Sequence, residues 1–294
     1  MDQNPEPSRE FPPGQDAKDE SSSVASHEAS DSGEGQPLQN ANLTAPPIAS
    51  NSREGLQEDW KKFNDMIGIN GLPAVPWSLR DVWIGMASIL LWFAIIILIQ
   101  LLARRFKIDP GVIVSLSEVL LLLPVVTLAL VQYRVGWATL GLRNFKAQAV
   151  GIGCGLMVAF YAFNLCYSII LALFKLRVQT DIVPLISKLP SPVWFFIGGA
   201  LVAPLVEEIL FRGFIFGGLR GRYGFWKAAV ISAVVFGAVH LQLTAFLPIT
   251  LLGLIFAFLY ERSQSIWPSI LMHFLTNACS LSLAFYLSQV GTAK

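Results

Sequence analysis

The chain has 294 residues, of which 54% are hydrophobic and only 14% are charged, so its composition excludes an ordinary soluble domain. The net charge of +1 hides a division along the chain. Residues 1–60 carry a net charge of −9, whereas residues 61–294 carry +10. The apolar residues are concentrated in the second, basic part, which indicates an integral membrane protein.

Residues 1–55 form an acidic segment rich in Ser, Pro, Gln, Glu, Asp and Gly. Such a segment cannot bury enough apolar surface to offset the entropy of ordering, so we predict a disordered tail. It lacks the short apolar run of a signal peptide, so the first membrane span is expected to act as an internal signal. Residues 56–80 are predicted to be a juxtamembrane segment, and either an amphipathic surface helix or a weakly structured linker fits their pattern.

Seven apolar runs are candidates for helical crossings of a bilayer. They are residues 82–103, 111–131, 147–174, 193–218, 226–241, 245–260 and 266–289. The segment "HLQLTAFLP" separates the fifth run from the sixth, because it supplies polar residues and a proline. We therefore predict an all-α polytopic membrane helix bundle, with N-terminal spans in 81–133 and the remaining spans in 134–290. Lys and Arg number ten on the side of the N-terminus and seven on the other, which predicts a cytoplasmic N-terminus.

Few residues capable of chemistry lie inside these runs. They are Glu118, Glu207, Glu208, Arg212, His240, His273 and Asn277. With a helical rise of about 1.5 Å per residue, Glu207 lies roughly 18 Å and His240 about 21 Å below the loop at residues 220–227. On the last span, His273 and Asn277 lie about 10 and 16 Å below the same membrane face. Residues from three spans are therefore predicted to converge on one layer.

The spacing of the charged residues on the fourth span separates the two glutamates. Glu208 and Arg212 are four residues apart, so they share a helix face and can neutralise one another. Glu207 points about 100° away from its neighbour. One carboxylate can therefore be structural while the other is chemical, and Glu207 and Glu208 are both candidate catalytic residues.

One carboxylate and two imidazoles in a shielded cavity are suited to hydrolysis. A glutamate can accept a proton from water, one histidine can hold that water, and the other histidine, with an amide, can stabilise an oxyanion. The residues Glu207, His240 and His273 could instead hold zinc or another divalent ion, although no H-E-x-x-H motif is present. Helix-packing roles and a proton-coupled transporter are the alternatives, and the transporter is disfavoured because no internal repeat is found. Glu118 has no evident partner, so structural and functional roles are equally open.

Three segments match a known family in order. They are "EEILFR" (Glu207–Arg212), "FGAVH" (Phe236–His240) and "HFLTN" (His273–Asn277). The chain therefore resembles the CPBP intramembrane proteases, which include the type II CAAX prenyl endopeptidases and bacteriocin-processing or immunity proteins. The resemblance extends over about residues 134–290 and takes in "WATLGLR" and "ERSQSIWPSILMH".

The resemblance implies an intramembrane peptidase and a role for each motif residue. Glu207 is the implied water-activating base with Glu208 beside it, Arg212 is the partner of Glu208, His240 acts on the water, and His273 and Asn277 bind the oxyanion. Activation by glutamate alone and activation by a metal remain open, as does a non-catalytic scaffold or immunity protein. The implied partners are membrane lipid and a membrane-anchored protein or peptide, including CAAX-type prenylated ones, with no nucleic acid. The implied location is a bacterial cell membrane.

Overall fold

The computed structural model describes residues 53–67, 69, 71–106, 108–178, 182–186 and 192–292. Within these ranges the regular structure is helical and includes no strand, which confirms the prediction of an all-α fold. Most of the predicted tail, residues 1–52, lies outside the described residues, as do three of the basic residues used to predict orientation: Lys107, Lys188 and Lys294.

The helices follow the predicted spans closely: apart from the junction of the fourth and fifth runs, which lies inside α9, the predicted ends differ from the observed ones by at most three residues. The α-helices are α1 Arg53–Met66, α2 Leu79–Phe106, α3 Pro110–Leu120, α4 Leu122–Val125, α5 Gln148–Leu173, α6 Val183–Ile186, α7 Val193–Phe196, α8 Ala203–Glu208, α9 Gly217–Ala238, α10 Leu243–Ser263 and α11 Trp267–Thr292. The π-helical segments are π1 Val126–Val131, π2 Ile197–Val202 and π3 Ile209–Phe216, and a 3₁₀ turn covers Trp137–Leu140.

Six helices of the described residues are long and apolar enough to cross a membrane, and one of them, Val193–Ala238, has 46 residues. A straight helix of that length would span about 69 Å, more than twice the hydrocarbon core. Its backbone leaves the helical region at Gly224, where φ is 74° and ψ is 173°. Ser232 Oγ donates to the carbonyl of Phe211 at 3.0 Å, although 21 residues of straight helix would separate them by about 31 Å. The chain therefore reverses near Gly224, so this helix holds two of the seven predicted spans.

Local capping contacts set the start of the first two spans. The backbone N–H of Ser78 donates to Asp81 Oδ2 at 2.8 Å, and the N–H of Asp81 donates to Ser78 Oγ at 3.3 Å. This reciprocal capping pair satisfies two amides that have no partner within the helix. Asp109 Oδ1 accepts from the N–H of Gly111 at 2.7 Å, which caps α3 in the same way.

The segment between α1 and α2 packs against the C-terminal half of the bundle. Trp77 is buried, stacks on Phe214 and donates its indole N–H to the Phe214 carbonyl at 3.1 Å. The N–H of Gly71 donates to Glu261 Oε1 at 3.1 Å, and the same carboxylate pairs with Arg220 at 2.8 Å. These contacts favour a structured juxtamembrane segment over a loose linker.

The centre of the bundle is the stretch from residue 206 to residue 219, in which most residues are buried. In the span Leu243–Ser263, 50% of the most apolar window is buried, against 17% in Leu79–Leu102 and in Gln148–Leu173. The less buried spans face lipid with large apolar side chains, including Leu90 of α2 and Leu165 of α5. The charged residues of the fourth span therefore lie on the most enclosed part of the molecule.

Replacement of Gly213 by alanine is expected to destabilise the protein. A Cβ at this position would lie 2.5 Å from the carbonyl oxygen of Leu140, so the 3₁₀ turn at Trp137–Leu140 would have to move. We expect a loss of about 1–3 kcal/mol of unfolding free energy, as for other overpacked sites. Gly151→Ala is the matched control, because in the described structure no atom lies within 4 Å of its added Cβ. Thermal unfolding in detergent measures both variants, and equal midpoints would contradict this close packing.

Candidate active site

The two adjacent glutamates of the fourth span have different surroundings. Glu208 and Arg212 are both fully buried, and Arg212 Nη1 donates to Glu208 Oε1 at 2.7 Å. The two side chains thus form the ion pair that their spacing allows. The Glu207 side chain keeps 15% exposure, and its Oε2 lies 3.7 Å from His273 Nε2. One carboxylate is thus held in an ion pair, while the other lies beside a histidine.

Aromatic rings and a carbonyl hold the Arg212 guanidinium in place. Its central carbon lies 4.2 Å from the centroid of the Phe236 ring and 5.1 Å from that of Phe256. Its Nη2 donates to the carbonyl of Gly253 at 3.3 Å. A buried ion pair is tolerated only when further hydrogen bonds and favourable contacts compensate for lost hydration. Arg212 is therefore a fixed cation at the base of the site.

His273 on α11 contacts both glutamates. Its Nδ1 lies 3.1 Å from Glu208 Oε1, and because an ionised carboxylate only accepts hydrogen bonds, Nδ1 carries the proton. Its Nε2 is the nitrogen that faces Glu207, and the ring stacks on Phe256 with centroids 5.1 Å apart. Glu208 therefore bridges Arg212 and His273, a contact that the sequence did not predict.

His240, just after α9, has its orientation set by its own helix. Its Nδ1 lies 2.7 Å from the carbonyl of Phe236, so Nδ1 donates, and in the neutral ring Nε2 is an acceptor. The Phe236 ring packs edge-on against both histidines, with centroids 5.0 Å from His240 and 5.8 Å from His273. The two predicted histidines thus meet the same phenyl ring.

Asn277 lies one turn beyond His273 on α11. Its Nδ2 donates to the carbonyl of Gly199 in π2 at 2.8 Å, which fixes the orientation of the amide. The amide nitrogen carries a second N–H, which can serve another acceptor. The structure thus places Asn277 next to the cluster but does not bring its amide onto the glutamates.

Glu207 and His240 line one cavity of about 140 Å³ together with Glu118 of α3. The other lining residues are Ile89, Trp92, Phe93, Leu121, Leu210, Phe211 and Val239. The sequence alone showed no partner for Glu118, but its depth in the second span is close to that of Glu207 and His240 and could have placed it near them. Glu118 lies thirteen residues before the end of its span at Val131, about 20 Å from the membrane face used for Glu207 and His240.

The site adjoins irregular helical backbone. π3 begins directly after Glu208 and contains Arg212, and π2 supplies the carbonyl that holds Asn277. Single π-helical turns are uncommon in proteins and occur often at functional sites, because they reorient side chains relative to an α-helix. The backbone around the "EEILFR" motif therefore differs from the regular α-helix that the spacing of its residues predicts.

The predicted metal ligands do not converge on one point. Across the part of the chain that the structure describes, no three His, Cys, Asp or Glu side chains are grouped as a metal ion requires. The side chains Glu207, His240 and His273 therefore do not fit a metal in this arrangement, and no step below is derived through one.

Comparison with known proteins finds a family model and relatives that are similar to part of this chain. Residues 189–279 match the family model described as "Type II CAAX prenyl endopeptidase Rce1-like". The chain is 33% identical over 145 residues to the protein named "Putative membrane peptidase YdiL" of Bacillus subtilis, covering 46% of this chain and 58% of that protein. It is 24% identical over 162 residues to "UPF0177 protein YxdF" of Lactococcus lactis, covering 53% of this chain and 88% of that protein. No solved structure matches the chain.

The fold and the site define an integral membrane protein with a buried cluster of carboxylates, an arginine and a histidine. The matched region contains all three motifs and does not include the first spans. The match of residues 189–279 to this family model agrees with the resemblance to the CPBP intramembrane proteases that the motifs indicate.

Proposed function

We propose that the protein is an intramembrane endopeptidase that hydrolyses a peptide bond of a membrane-anchored protein or peptide. The observation that carries this proposal is the placing of Glu207 between a cavity shared with His240 and the buried cluster of Glu208, Arg212 and His273. The match of residues 189–279 to the family model and the similarity to the protein named "Putative membrane peptidase YdiL" support it. The proposed substrates include proteins and peptides that are anchored by a prenylated, CAAX-type cysteine.

The hydrolytic water is held between Glu207 and His240. Nε2 of neutral His240 accepts one of its hydrogens, because Nδ1 already donates to the Phe236 carbonyl. The Glu207 carboxylate accepts the other hydrogen and removes it as the water oxygen attacks the scissile carbonyl carbon. Both hydrogens of the water are thus engaged, and a lone pair of its oxygen is directed at the substrate.

The oxyanion of the tetrahedral intermediate accepts hydrogen bonds from His273 and Asn277. His273 donates through Nε2 when its ring is doubly protonated, and Glu208 stabilises that form through Nδ1. With Glu207 and Glu208 ionised, Arg212 and protonated His273 bring the net charge of the cluster to zero. Glu207 then returns its proton to the departing nitrogen, the C–N bond breaks, and the products are a carboxylic acid and an amine; the acid ionises to a carboxylate and the amine takes up the released proton.

We further propose that the protein resides in a bacterial cell membrane with its N-terminus in the cytoplasm. The bacterial origin of both relatives supports the first part. The excess of Lys and Arg on the N-terminal side supports the second. A green fluorescent protein fused to the N-terminus is expected to fluoresce, and an alkaline phosphatase fused there is expected to be inactive; the reverse pattern would contradict this orientation.

Peptide cleavage in lipid vesicles tests the proposed activity. The purified protein is reconstituted with two pools of quenched-fluorescent peptides, one anchored by a single apolar helix and the other by a farnesylated C-terminal cysteine. We expect protein-dependent cleavage of at least one pool, with products identified by mass spectrometry. Cleavage of neither pool would overturn the proposal. Proton-driven solute uptake in the same vesicles would then support a transporter, and the absence of such uptake would support a non-catalytic scaffold.

A further inference from the structure

A third carboxyl group, on α3, shares the cavity of Glu207 and His240. Glu118 lies in the second span, outside the region 189–279 that matches the family model. Its Oε2 is buried and has no hydrogen-bond partner in the described part of the chain, and the same holds for Glu207 Oε2. A buried carboxyl oxygen without a partner is costly, so an occupant of the cavity must compensate for it.

The position of Glu118 is fixed by close packing on two sides. The indole N–H of Trp92 in α2 donates to the carbonyl of Ser117 at 2.7 Å, which holds the backbone next to Glu118. On the other side, Ser115 Oγ would lie 2.6 Å from a Cβ added at Gly198, so α3 and π2 are in close contact. π2 leads directly into α8, which carries Glu207. Both carboxyl groups are therefore held on one rigid unit.

The chemistry of the cavity points to water as its occupant. Three of its ten lining residues are Glu118, Glu207 and His240, and the other seven are apolar or aromatic. A cavity of about 140 Å³ has room for several waters, and an ordered buried water needs two to four polar partners. Glu207 and His240 bind one water in the proposed reaction. A further polar group is needed to bind the neighbouring water molecules, because the rest of the cavity is apolar.

We infer that Glu118 is a positioning residue that anchors the water cluster supplying the hydrolytic water to Glu207 and His240. It acts through these waters and does not touch the substrate. This inference rests on the proposed peptidase function and extends the site to the N-terminal spans. Loss of the Glu118 carboxyl leaves the peptide-binding surfaces in place but misplaces or removes the attacking water, so kcat falls while KM is kept.

The test compares Glu118→Leu and Glu118→Gln with wild type in the vesicle cleavage assay. For Glu118→Leu we expect kcat to fall about 100-fold, which is the rate loss that a misplaced reactant causes, and we expect KM to change less than about threefold. Glu118→Gln keeps hydrogen-bonding groups at the same place, so it is expected to retain at least about a tenth of the wild-type kcat. Glu58→Gln, an exposed glutamate of α1, is the matched control and is expected to leave kcat unchanged.

Thermal unfolding separates positioning of water from a structural role. Leucine relieves a buried carboxyl oxygen that has no protein partner, so Glu118→Leu is expected to unfold at the wild-type temperature or above. Lower activity together with undiminished stability supports the inference. Unchanged kcat in Glu118→Leu, or a fall in kcat matched by lower stability, overturns it while the peptidase function stands. If Glu207→Gln cleaves as fast as wild type, Glu207 is not the base and this inference fails while the peptidase function stands. If the wild-type protein cleaves neither peptide pool, the proposed function fails and this inference fails with it.

Discussion

Glu207→Gln is expected to lower kcat/KM for vesicle-anchored peptides by about 10³-fold or more, because the amide cannot remove a proton from water. The substitution keeps the size of the side chain, so KM and thermal stability are expected to stay close to the wild-type values. His240→Ala is expected to lower the rate less, because Glu207 still accepts the proton while one contact to the water is lost. Initial rates of fluorescence increase measure these effects.

The matched control for Glu207→Gln is Glu58→Gln on α1, where the carboxylate is exposed and pairs with Lys62. It removes the same charge far from the site and is expected to leave the rate unchanged. Wild-type rates in folded Glu207→Gln protein would show that this carboxylate is not the base. Equal losses in both variants would point to a general effect of charge on the protein in the membrane.

Arg212→Met is expected to have the largest effect on stability. It leaves the Glu208 carboxylate fully buried beside His273 without its cation, and breaking a buried pair in this way costs about 3–5 kcal/mol. We expect a clear fall in the thermal unfolding midpoint and in the yield of folded protein. Arg222→Met, at an exposed position of α9 just before Gly224, is the matched control and is expected to change stability by less than about 0.5 kcal/mol.

The double variant Glu208→Gln/Arg212→Met separates stability from chemistry. It removes both charges, so most of the lost stability is expected to return. The rate is expected to stay about 100-fold below wild type, because a neutral glutamine no longer stabilises protonated His273 as an oxyanion donor. A double variant as unstable as Arg212→Met alone would contradict the ion pair as the source of the loss. Recovery of full activity would contradict the role of Glu208 in orienting His273.

Several features of the site follow from the sequence because they depend on one helix or on helical rise alone. The pairing of Glu208 with Arg212 needs only residues four apart on one face. The common depth of Glu207 and His240 needs only a count of residues from a loop. The reversal near Gly224 is marked by glycine and charged residues between two apolar runs.

Other features depend on how the helices are rotated and packed, which residue spacing does not determine. Residue spacing predicts only the contact of Glu208 with Arg212. The contact of His273 with the same carboxylate depends on the packing of α11 against α8. The Asn277 amide is held by the carbonyl of Gly199, a backbone contact without a sequence signature. The depth of Glu118 could be counted from the sequence, but its polar neighbours in the cavity could not be predicted, because Glu207 and His240 lie more than 80 residues further along the chain.

The origin of the oxygen in the new carboxyl group tests the central claim most directly. Cleavage of a vesicle-anchored peptide is carried out in ¹⁸O-enriched water with wild-type protein and with Glu207→Gln, and the products are examined by mass spectrometry. The account predicts one ¹⁸O atom in the new C-terminal carboxyl group with wild type and no cleavage products with Glu207→Gln. Products without ¹⁸O, or equal amounts of labelled product from both proteins, would contradict activation of water by Glu207.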